Sequence, residues 1–168
     1  MTQQEFLQDL ETFLQEWQNN EPTVWVHTSG STGIPKPLQV EKGRMMASAR
    51  LTCQFLGLKE GDTALLCMPL QYIAGKMVVV RSLITGLKLI PVAPCGHPLK
   101  ELKEAPTFAA MIPMQVYNSL QVPEEKHLLK HIKHLIIGGG AIDTSIGNEL
   151  KDFPNHVWST YGMTETLS

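Results

Sequence analysis

Cysteine is scarce in this chain, and its few cysteines are not arranged as a covalent or metal-binding framework. Cys53, Cys67 and Cys95 are odd in number, and no two of them form a CxxC pair. This spacing argues against a disulfide scaffold and against a cysteine zinc site. We therefore expect reduced thiols, as in a cytoplasmic protein.

A surplus of basic residues is also missing. The 168 residues include 14 Lys and Arg against 16 Asp and Glu, which gives a formal net charge of -2. A protein whose main partner is a nucleic acid needs a basic face to neutralise a run of phosphates, so we expect no nucleic-acid partner. A single nucleotide needs only one or two well-placed cations and stays compatible with this balance.

The sequence also lacks long apolar runs and a basic N-terminal leader. Residues 1–17 are acidic and rich in glutamine, whereas secretory and organellar leaders carry basic residues. Lys76, Arg81 and Lys88 interrupt the most apolar stretch before it reaches the length of a membrane span. We expect no membrane partner and a cytoplasmic location.

The chain does contain the composition of a globular domain, with 43% apolar and 18% charged residues. Its first 17 residues have apolar positions at helical spacing, which predicts an amphipathic helix. Because the polar side of this helix is acidic, packing on a core is favoured over membrane binding.

Beyond Pro22, short apolar runs alternate with helical stretches. The pattern predicts strands and helices in turn, with strands at 23–27, 63–67, 88–92, 108–112, 135–137 and 157–160, and helices at 45–56, 74–85, 114–120 and 144–150. Such alternation is typical of an α/β fold with a mostly parallel sheet and helices on both faces. Ligands of these sheets bind in loops at the carboxyl ends of the strands.

The loop after the first predicted strand has the composition of an anion site. From His27 to Lys36 it reads HTSGSTGIPK, with four hydroxyl side chains, two glycines and one lysine. Glycines let backbone amides converge on one point, while hydroxyls add donors and Lys36 adds positive charge. The spacing is not that of a P-loop, because Ile34 and Pro35 separate Gly33 from Lys36. An ordinary flexible turn is the alternative.

A run of glycines follows the predicted strand 135–137. Gly138, Gly139 and Gly140 permit close approach of the backbone to a flat ligand. A dinucleotide-binding fingerprint needs a further glycine near Asp143, and there is none.

Three ordered motifs resemble those of the adenylate-forming superfamily, which comprises acyl-CoA synthetases, peptide-synthetase adenylation domains and luciferases. The string Thr28–Lys36 resembles its phosphate loop, Gly139–Ala141 its adenine-contacting segment, and Tyr161–Glu165 its Tyr-Gly-x-Thr-Glu motif. The motifs occur in the family's order and span almost the whole chain. The resemblance implies the N-terminal portion of that family's large domain.

The resemblance also implies a reaction, in which a carboxylate attacks ATP to form an acyl-adenylate and coenzyme A then attacks the adenylate. Lys36 and Mg²⁺ held by Glu165 would stabilise charge on the phosphate oxygens, and Thr164 would donate to the α-phosphate. Tyr161 would stack on the adenine. The implied ATP contacts are Thr28, Ser29, Gly30, Ser31, Thr32, Gly33, Lys36, Gly139, Gly140, Ala141, Thr160, Tyr161, Gly162, Met163 and Thr164.

Residues 68–76 resemble the segment that opens the acyl-site helix of the family, which implies a substrate-binding role for Tyr72, Gly75 and Lys76. Tyr72 stands where many members have histidine, and either gates the pocket or packs. Two interpretations of Lys76 remain, attraction of the substrate carboxylate and a lysine on the helix surface.

The run 73–83 and the short segment before the phosphate loop resemble the o-succinylbenzoate–CoA ligases of menaquinone synthesis. This resemblance implies an aromatic acid such as o-succinylbenzoate as substrate, together with ATP and coenzyme A. Another acyl- or aryl-CoA ligase is the alternative within enzymes.

The family continues beyond the last motif with a ribose-binding Asp, a hinge and a small C-terminal domain that carries a catalytic lysine. The 168 residues end three positions after Glu165. We therefore expect a partial N-terminal nucleotide- and acyl-binding domain over 1–168, without the C-terminal domain. On its own it is expected to bind nucleotide weakly and to be inactive. A non-catalytic nucleotide-binding or scaffold protein of the same fold is the alternative.

Two other patterns in the sequence have plainer interpretations than a metal site or a hydrolase site. His127, His131 and His134 have the spacing of one helical face, which suggests a metal. The interleaved lysines and the lack of nearby carboxylates favour a solvated basic face instead. No Gly-x-Ser-x-Gly elbow is present, so hydrolase chemistry is unsupported.

Overall fold

The chain folds into a parallel sheet covered by helices on both faces, with a separate two-stranded hairpin. The computed structural model describes residues 1–28, 35–160 and 164. Its elements in chain order are α1 (Gln3–Gln18), β1 (Thr23–His27), β2 (Pro37–Glu41), α2 (Lys42–Leu56), β3 (Thr63–Leu66), α3 (Ile73–Thr85), β4 (Lys88–Pro91), β5 (Phe108–Met111), α4 (Pro113–Leu120), α5 (Pro123–His131), β6 (His134–Ile137), α6 (Thr144–Lys151) and β7 (His156–Ser159).

The large sheet has the strand order β4-β3-β5-β6-β7, and every neighbouring pair is parallel. All five carboxyl ends therefore lie along one edge, which we call the carboxyl edge. The predicted α/β fold with a parallel sheet and helices on both faces is confirmed.

Two cores join the sheet to its helical layers. On one face, α1, α2 and α3 pack on even-numbered strand residues such as Ala64 and Phe108. On the other, α4, α5 and α6 pack on odd-numbered residues such as Leu65 and Leu135. Successive residues of a strand point to opposite faces, and the last three residues of β3 are all apolar and buried because both faces of the strand are covered.

The first predicted strand was assigned to the wrong sheet. Strand β1 pairs antiparallel with β2, a strand that the sequence pattern did not predict, and the two form the β1–β2 hairpin. Val24 and Val26 are buried while Trp25 and His27 are exposed, and this alternation is typical of an antiparallel strand with one covered face. Strand β2 was missed because it begins at Pro37, which is usual only at a sheet edge or a strand start.

Helix α1 connects the large sheet to the hairpin. The predicted amphipathic helix is confirmed, and a capping box between Thr2 and Glu5 closes its first turn. The Gln3 side chain bonds the backbone at the end of β4, donating to the Pro91 carbonyl at 2.9 Å and accepting from the Ala93 amide at 2.8 Å. At the other end, Glu16 accepts from the Trp25 amide of β1 at 2.8 Å.

Helix α5 was not predicted, and of the three histidines expected on one solvated face, His127 and His131 are exposed whereas His134 is buried. Only Glu125 and Leu129 of α5 are buried, so its sequence lacks a broad apolar stripe. The helix ends at His131, and His134 lies in β6, so the three imidazoles do not share a helical face. Among the described residues, no three potential metal ligands form a group, and no helix is long and apolar enough to cross a bilayer.

His134 is buried with neither ring nitrogen hydrogen-bonded. Its ring stacks on the ring of His156 at 5.5 Å. Burial lowers the pKa of His134 from its usual value near 6.5, and the charges of Lys133 and His156 lower it further, against a smaller opposing effect of Asp62. The folded state therefore favours the neutral ring.

We expect the free energy of unfolding to fall as the pH drops from about 6.5 to the lowered pKa of His134, because the unfolded chain binds more protons in that interval. The variant His134→Phe removes this titration and should flatten the pH dependence. Urea unfolding between pH 8 and pH 5 measures it, with the exposed His127→Gln as control. Equal slopes for His134→Phe and the wild type would contradict the assignment.

Candidate functional site

The carboxyl edge brings together two of the three sequence motifs. Strands β6 and β7 are neighbours, and their pairing continues beyond β7, where the Thr160 amide donates to the Ile137 carbonyl at 2.9 Å. The hydroxyl of Thr160 lies 2.8 Å from the point where a Cβ at Gly138 would stand. The glycine run is therefore in direct contact with Thr160, the residue that precedes the last motif.

The glycine run forms an exposed turn at this edge. Gly139 has a φ of +78°, a conformation that side chains with a Cβ rarely adopt. Gly140 and Ala141 are exposed, and a Cβ at Gly140 would meet the ring of Pro113 at 3.6 Å. The backbone here is open to a ligand on its outer side.

The phosphate loop joins the two strands of the hairpin. The register pairs His27 with Pro37, and the Thr28 amide donates to the Lys36 carbonyl at 3.0 Å. The hydroxyl of Thr28 accepts from the Lys36 amide at 3.1 Å. Lys36 itself is exposed, and the predicted contacts at Ser29, Gly30, Ser31, Thr32 and Gly33 lie outside the described residues.

The base of the hairpin is attached to the loop that follows β3. The His27 amide donates to the Gln71 carbonyl at 2.8 Å, and His27 forms a parallel bridge with Tyr72. Because β3 belongs to the large sheet, this contact places the base of the hairpin, where the predicted phosphate loop begins, beside the carboxyl edge. Among the described residues, it is the backbone connection between the hairpin and the loop after β3.

Within the last motif the structure describes only Thr164, and it also describes Thr160, which directly precedes the motif. Thr160 is exposed, and Thr164 is buried with 8% exposure. Tyr161, Gly162, Met163 and Glu165 lie outside the described residues. The predicted meeting of Lys36 with Glu165 at one triphosphate–metal site therefore stays a prediction, as does the role of each motif residue.

On the predicted acyl side, Tyr72 is half-buried at the N-cap of α3, and Gly75 is buried one turn into the helix. A Cβ at Gly75 would lie 2.5 Å from the Pro69 carbonyl oxygen and 2.9 Å from that of Met68. Gly75 is therefore required for close packing of α3 on the loop after β3. Its predicted contact with substrate stays a prediction.

Lys76 is not a lysine of the helix surface, since it is only 6% exposed. Its ammonium lies 3.0 Å from Glu16 of α1 and 4.1 Å above the ring of Phe13. Burial lowers the pKa of Lys76, and the hydrogen bond and charge of Glu16 oppose that shift. The predicted attraction of Lys76 for a substrate carboxylate stays a prediction. In this structure the carboxylate of Glu16 is the ion-pair partner of its ammonium.

Sequence reasoning missed Gln115, a buried side chain beneath the carboxyl edge. Its amide contacts Cys67, which follows β3, at both the carbonyl and the thiol. Burial raises the pKa of the Cys67 thiol to about 12, so this thiol is neutral and unreactive at pH 7. The one sequence signal for Gln115 is its place in the first turn of a helix that begins at Pro113.

We expect Gly75→Ala to lower the free energy of unfolding by about 2 kcal/mol, because the added methyl group overlaps backbone oxygens that have no free space to move into. Gly43→Ala in α2 is the matched control, since a Cβ there meets nothing within 4 Å. It should stabilise the protein by up to about 1 kcal/mol. Urea unfolding measures both changes in the free energy of unfolding. Changes of opposite sign in the two variants support the packing role of Gly75, and no change in Gly75→Ala would refute it.

We expect Lys76→Met and Glu16→Gln each to destabilise the fold by about 1–3 kcal/mol, because either change leaves a buried or half-buried group without its partner. The double variant should lose less than the sum of the two. The exposed pair Lys126–Glu149 at 2.9 Å is the control cycle, with an expected coupling of at most about 1 kcal/mol. Additive losses at Lys76 and Glu16 would show that the pair is not coupled.

One similar solved structure comes from Dyadobacter fermentans and is described as an acyl-CoA synthetase (AMP-forming)/AMP-acid ligase II-like protein. It superposes with a TM-score of 0.90 at 32% identity, over 97% of this chain and 47% of that one. The o-succinylbenzoate coenzyme A synthetase of Bacillus subtilis, in complex with ATP and magnesium ion, gives a TM-score of 0.68 at 26% identity, over 86% of this chain and 30% of that one.

Curated relatives are similar at the sequence level. The 2-succinylbenzoate–CoA ligase of Bacillus mycoides is 28% identical over 162 residues, 94% of this chain and 34% of that protein. The enzyme of the same name from Haemophilus influenzae is 27% identical over 163 residues, 96% of this chain and 35% of that protein. The chain thus spans about a third of the length of these relatives. The family of AMP-binding enzymes matches residues 2–168, and the chain belongs to that family.

Proposed function

We propose that the chain is the nucleotide- and acyl-binding part of an ATP-dependent carboxylate–CoA ligase. The observation that carries the proposal is the attachment of the phosphate-loop hairpin, through the His27–Gln71 hydrogen bond, to the carboxyl edge where the glycine run meets Thr160. A site assembled in this way has a cationic side, from Lys36, and a flat backbone side, from Gly139 and Gly140. Those two sides suit the triphosphate and the adenine of ATP.

The chemistry proposed for this site proceeds in two steps. A carboxylate oxygen of the substrate attacks the α-phosphorus of ATP, and the bond to pyrophosphate breaks. The thiol of coenzyme A then attacks the acyl carbon and displaces AMP. Lys36 and the amides of its loop would hold the phosphate oxygens as negative charge gathers on them.

Magnesium fits the donors of the last motif, because the hydroxyls of Thr160 and Thr164 and the carboxylate of Glu165 are hard oxygen ligands. When bound, Mg²⁺ would neutralise part of the charge on the phosphate oxygens. Thr164 would orient the α-phosphate beside it.

The substrate is proposed to be an aromatic acid, most specifically o-succinylbenzoate. The relatives named 2-succinylbenzoate–CoA ligase, at 27–28% identity, support this choice. The D. fermentans protein, named more broadly as an acyl-CoA synthetase, supports a different acyl- or aryl-CoA ligase as the second candidate. A panel of acids in the exchange assay below distinguishes the two.

We expect the 168-residue chain to bind ATP–Mg²⁺ weakly and Lys36→Ala to weaken that binding about tenfold or more, because a charge-assisted contact with phosphate is lost. Titration calorimetry measures the affinity. Lys103→Ala is the matched control, since it removes the same charge from an exposed position ahead of β5, away from the carboxyl edge. Equal losses from both variants would contradict the role of Lys36.

We expect no carboxylate-dependent exchange of pyrophosphate into ATP by this chain alone, because relatives with the named ligase activity are about three times as long. Rapid exchange with o-succinylbenzoate would show that the first half-reaction needs nothing further. ATP binding without exchange also fits a non-catalytic nucleotide-binding protein. The gene sequence beyond the codon for Ser168 separates that alternative from a partial ligase.

A further inference from the structure

One buried side chain contacts the loops that follow three strands of the large sheet. Gln115, in the first turn of α4, is 3% exposed. Its Nε2 donates to the Cys67 carbonyl after β3 at 3.1 Å and to the Cys95 carbonyl after β4 at 3.0 Å. Its Oε1 accepts from the Ile112 amide after β5 at 3.2 Å and lies 3.9 Å from the Cys67 thiol.

These contacts use most of the hydrogen-bonding capacity of a primary amide. Gln115 has two N–H donors and a carbonyl oxygen with two lone pairs. Both donors and one lone pair have backbone partners, while the second lone pair shares the single Cys67 thiol hydrogen with the Ala110 carbonyl, which lies 3.6 Å from the sulfur. The orientation of the amide is fixed, because only the nitrogen can face two carbonyl oxygens. A buried amide that is hydrogen-bonded in this way rigidifies its surroundings, and removal of the amide leaves the backbone oxygens it bonds without a donor.

The loops held by Gln115 lead to the two sides of the proposed site. Beyond Cys67, the loop after β3 supplies the Gln71 carbonyl that binds His27 at the base of the hairpin. After β5, the chain lies against the glycine run. The Ile112 side chain is 3.4 Å from the Cβ position of Gly139, and the ring of Pro113 is 3.6 Å from that of Gly140. Gln115 is thus bonded to two backbone segments. One, at Cys67, leads to the base of the hairpin, and the other, at Ile112, contacts the glycine turn.

We propose that Gln115 is a positioning residue that fixes the phosphate-loop hairpin relative to the glycine turn through these backbone carbonyls, without touching the ligand. The expected effect of this geometry on ATP binding rests on the proposed function. The coupling between the hairpin and the glycine turn is independent of that function.

Two variants and one control test the coupling in the free chain. Gln115→Met keeps the length of the side chain and removes all four contacts, and Gln115→Glu presents oxygen to both carbonyls in place of the amide nitrogen. Ser119→Ala is the matched control on the same helix. Ser119 is fully buried, and its hydroxyl donates to Glu125 of α5 at 2.9 Å instead of bonding the strand-end loops.

Amide hydrogen exchange of the ligand-free protein is the first measurement. The His27 amide, bonded to Gln71, and the Gly138 amide, bonded to Met111, report on the two sides. In both Gln115 variants we expect these amides to exchange about tenfold faster or more, as local opening becomes easier. In Ser119→Ala they should keep the wild-type rates. Unchanged rates in the Gln115 variants, or equal acceleration in Ser119→Ala, would overturn the inference.

ATP affinity of the same proteins, measured by calorimetry well below each melting temperature, is the second measurement. We expect a loss of about tenfold for both Gln115 variants and none for Ser119→Ala, even where the melting temperatures fall alike. Wild-type affinity in a Gln115 variant whose amides exchange faster would overturn the link to the nucleotide. Failure of the wild type to bind ATP at all would overturn the proposed function, while the exchange rates still decide the coupling.

Discussion

The backbone hydrogen bond between His27 and Gln71 is the contact on which the candidate site depends. The hairpin that carries the phosphate loop is not a member of the large sheet, so no ladder of strand pairing fixes it there. Its inner side chains, Val24, Val26 and Val40, join the core beneath α1–α3. Apolar packing of this kind is non-directional, and it tolerates small displacements that a hydrogen bond does not. The hydrogen bond from His27 to Gln71 fixes the orientation of the hairpin relative to the loop after β3.

Directional contacts also fasten helix α1, which is attached at both ends. Gln3 bonds the backbone after β4, and Glu16 bonds β1 and the buried ammonium of Lys76. A buried ion pair adds little net stability after its desolvation. Its value here is geometric, because Glu16 relates the hairpin, α1 and α3 to one another through one carboxylate.

Much of the fold could be predicted from the sequence, because its main signals are local. Continuous apolar runs such as residues 64–66 of β3 predict strands that are buried on both faces. The phosphate loop and the glycine run are likewise contiguous strings. Strand β2, helix α5 and the place of His134 could not be predicted in this way, since each depends on partners distant in sequence. Helix α5, for example, is fixed mainly by Leu129 and by the contact of Glu125 with Ser119 and His97.

The environments of Lys76 and Gln115 illustrate the same limit within the site. A lysine one turn into a helix has the surface as its ordinary location, and only the approach of α1, sixty residues earlier in the chain, makes it buried and paired. Gln115 is similar, because its three partners come from loops that are separate in sequence and adjacent only in the sheet.

A parallel sheet explains why one side chain can connect so many loops. Neighbouring parallel strands lie about 4.8 Å apart and end at the same edge, so the first residues after β3, β4 and β5 are all within reach of a single amide placed between them. Helix α4 begins directly after β5, the strand next to β3, and its first turn therefore projects Gln115 into that position. The arrangement follows from the order of the strands, and it links the loop that holds the base of the β1–β2 hairpin to the large sheet.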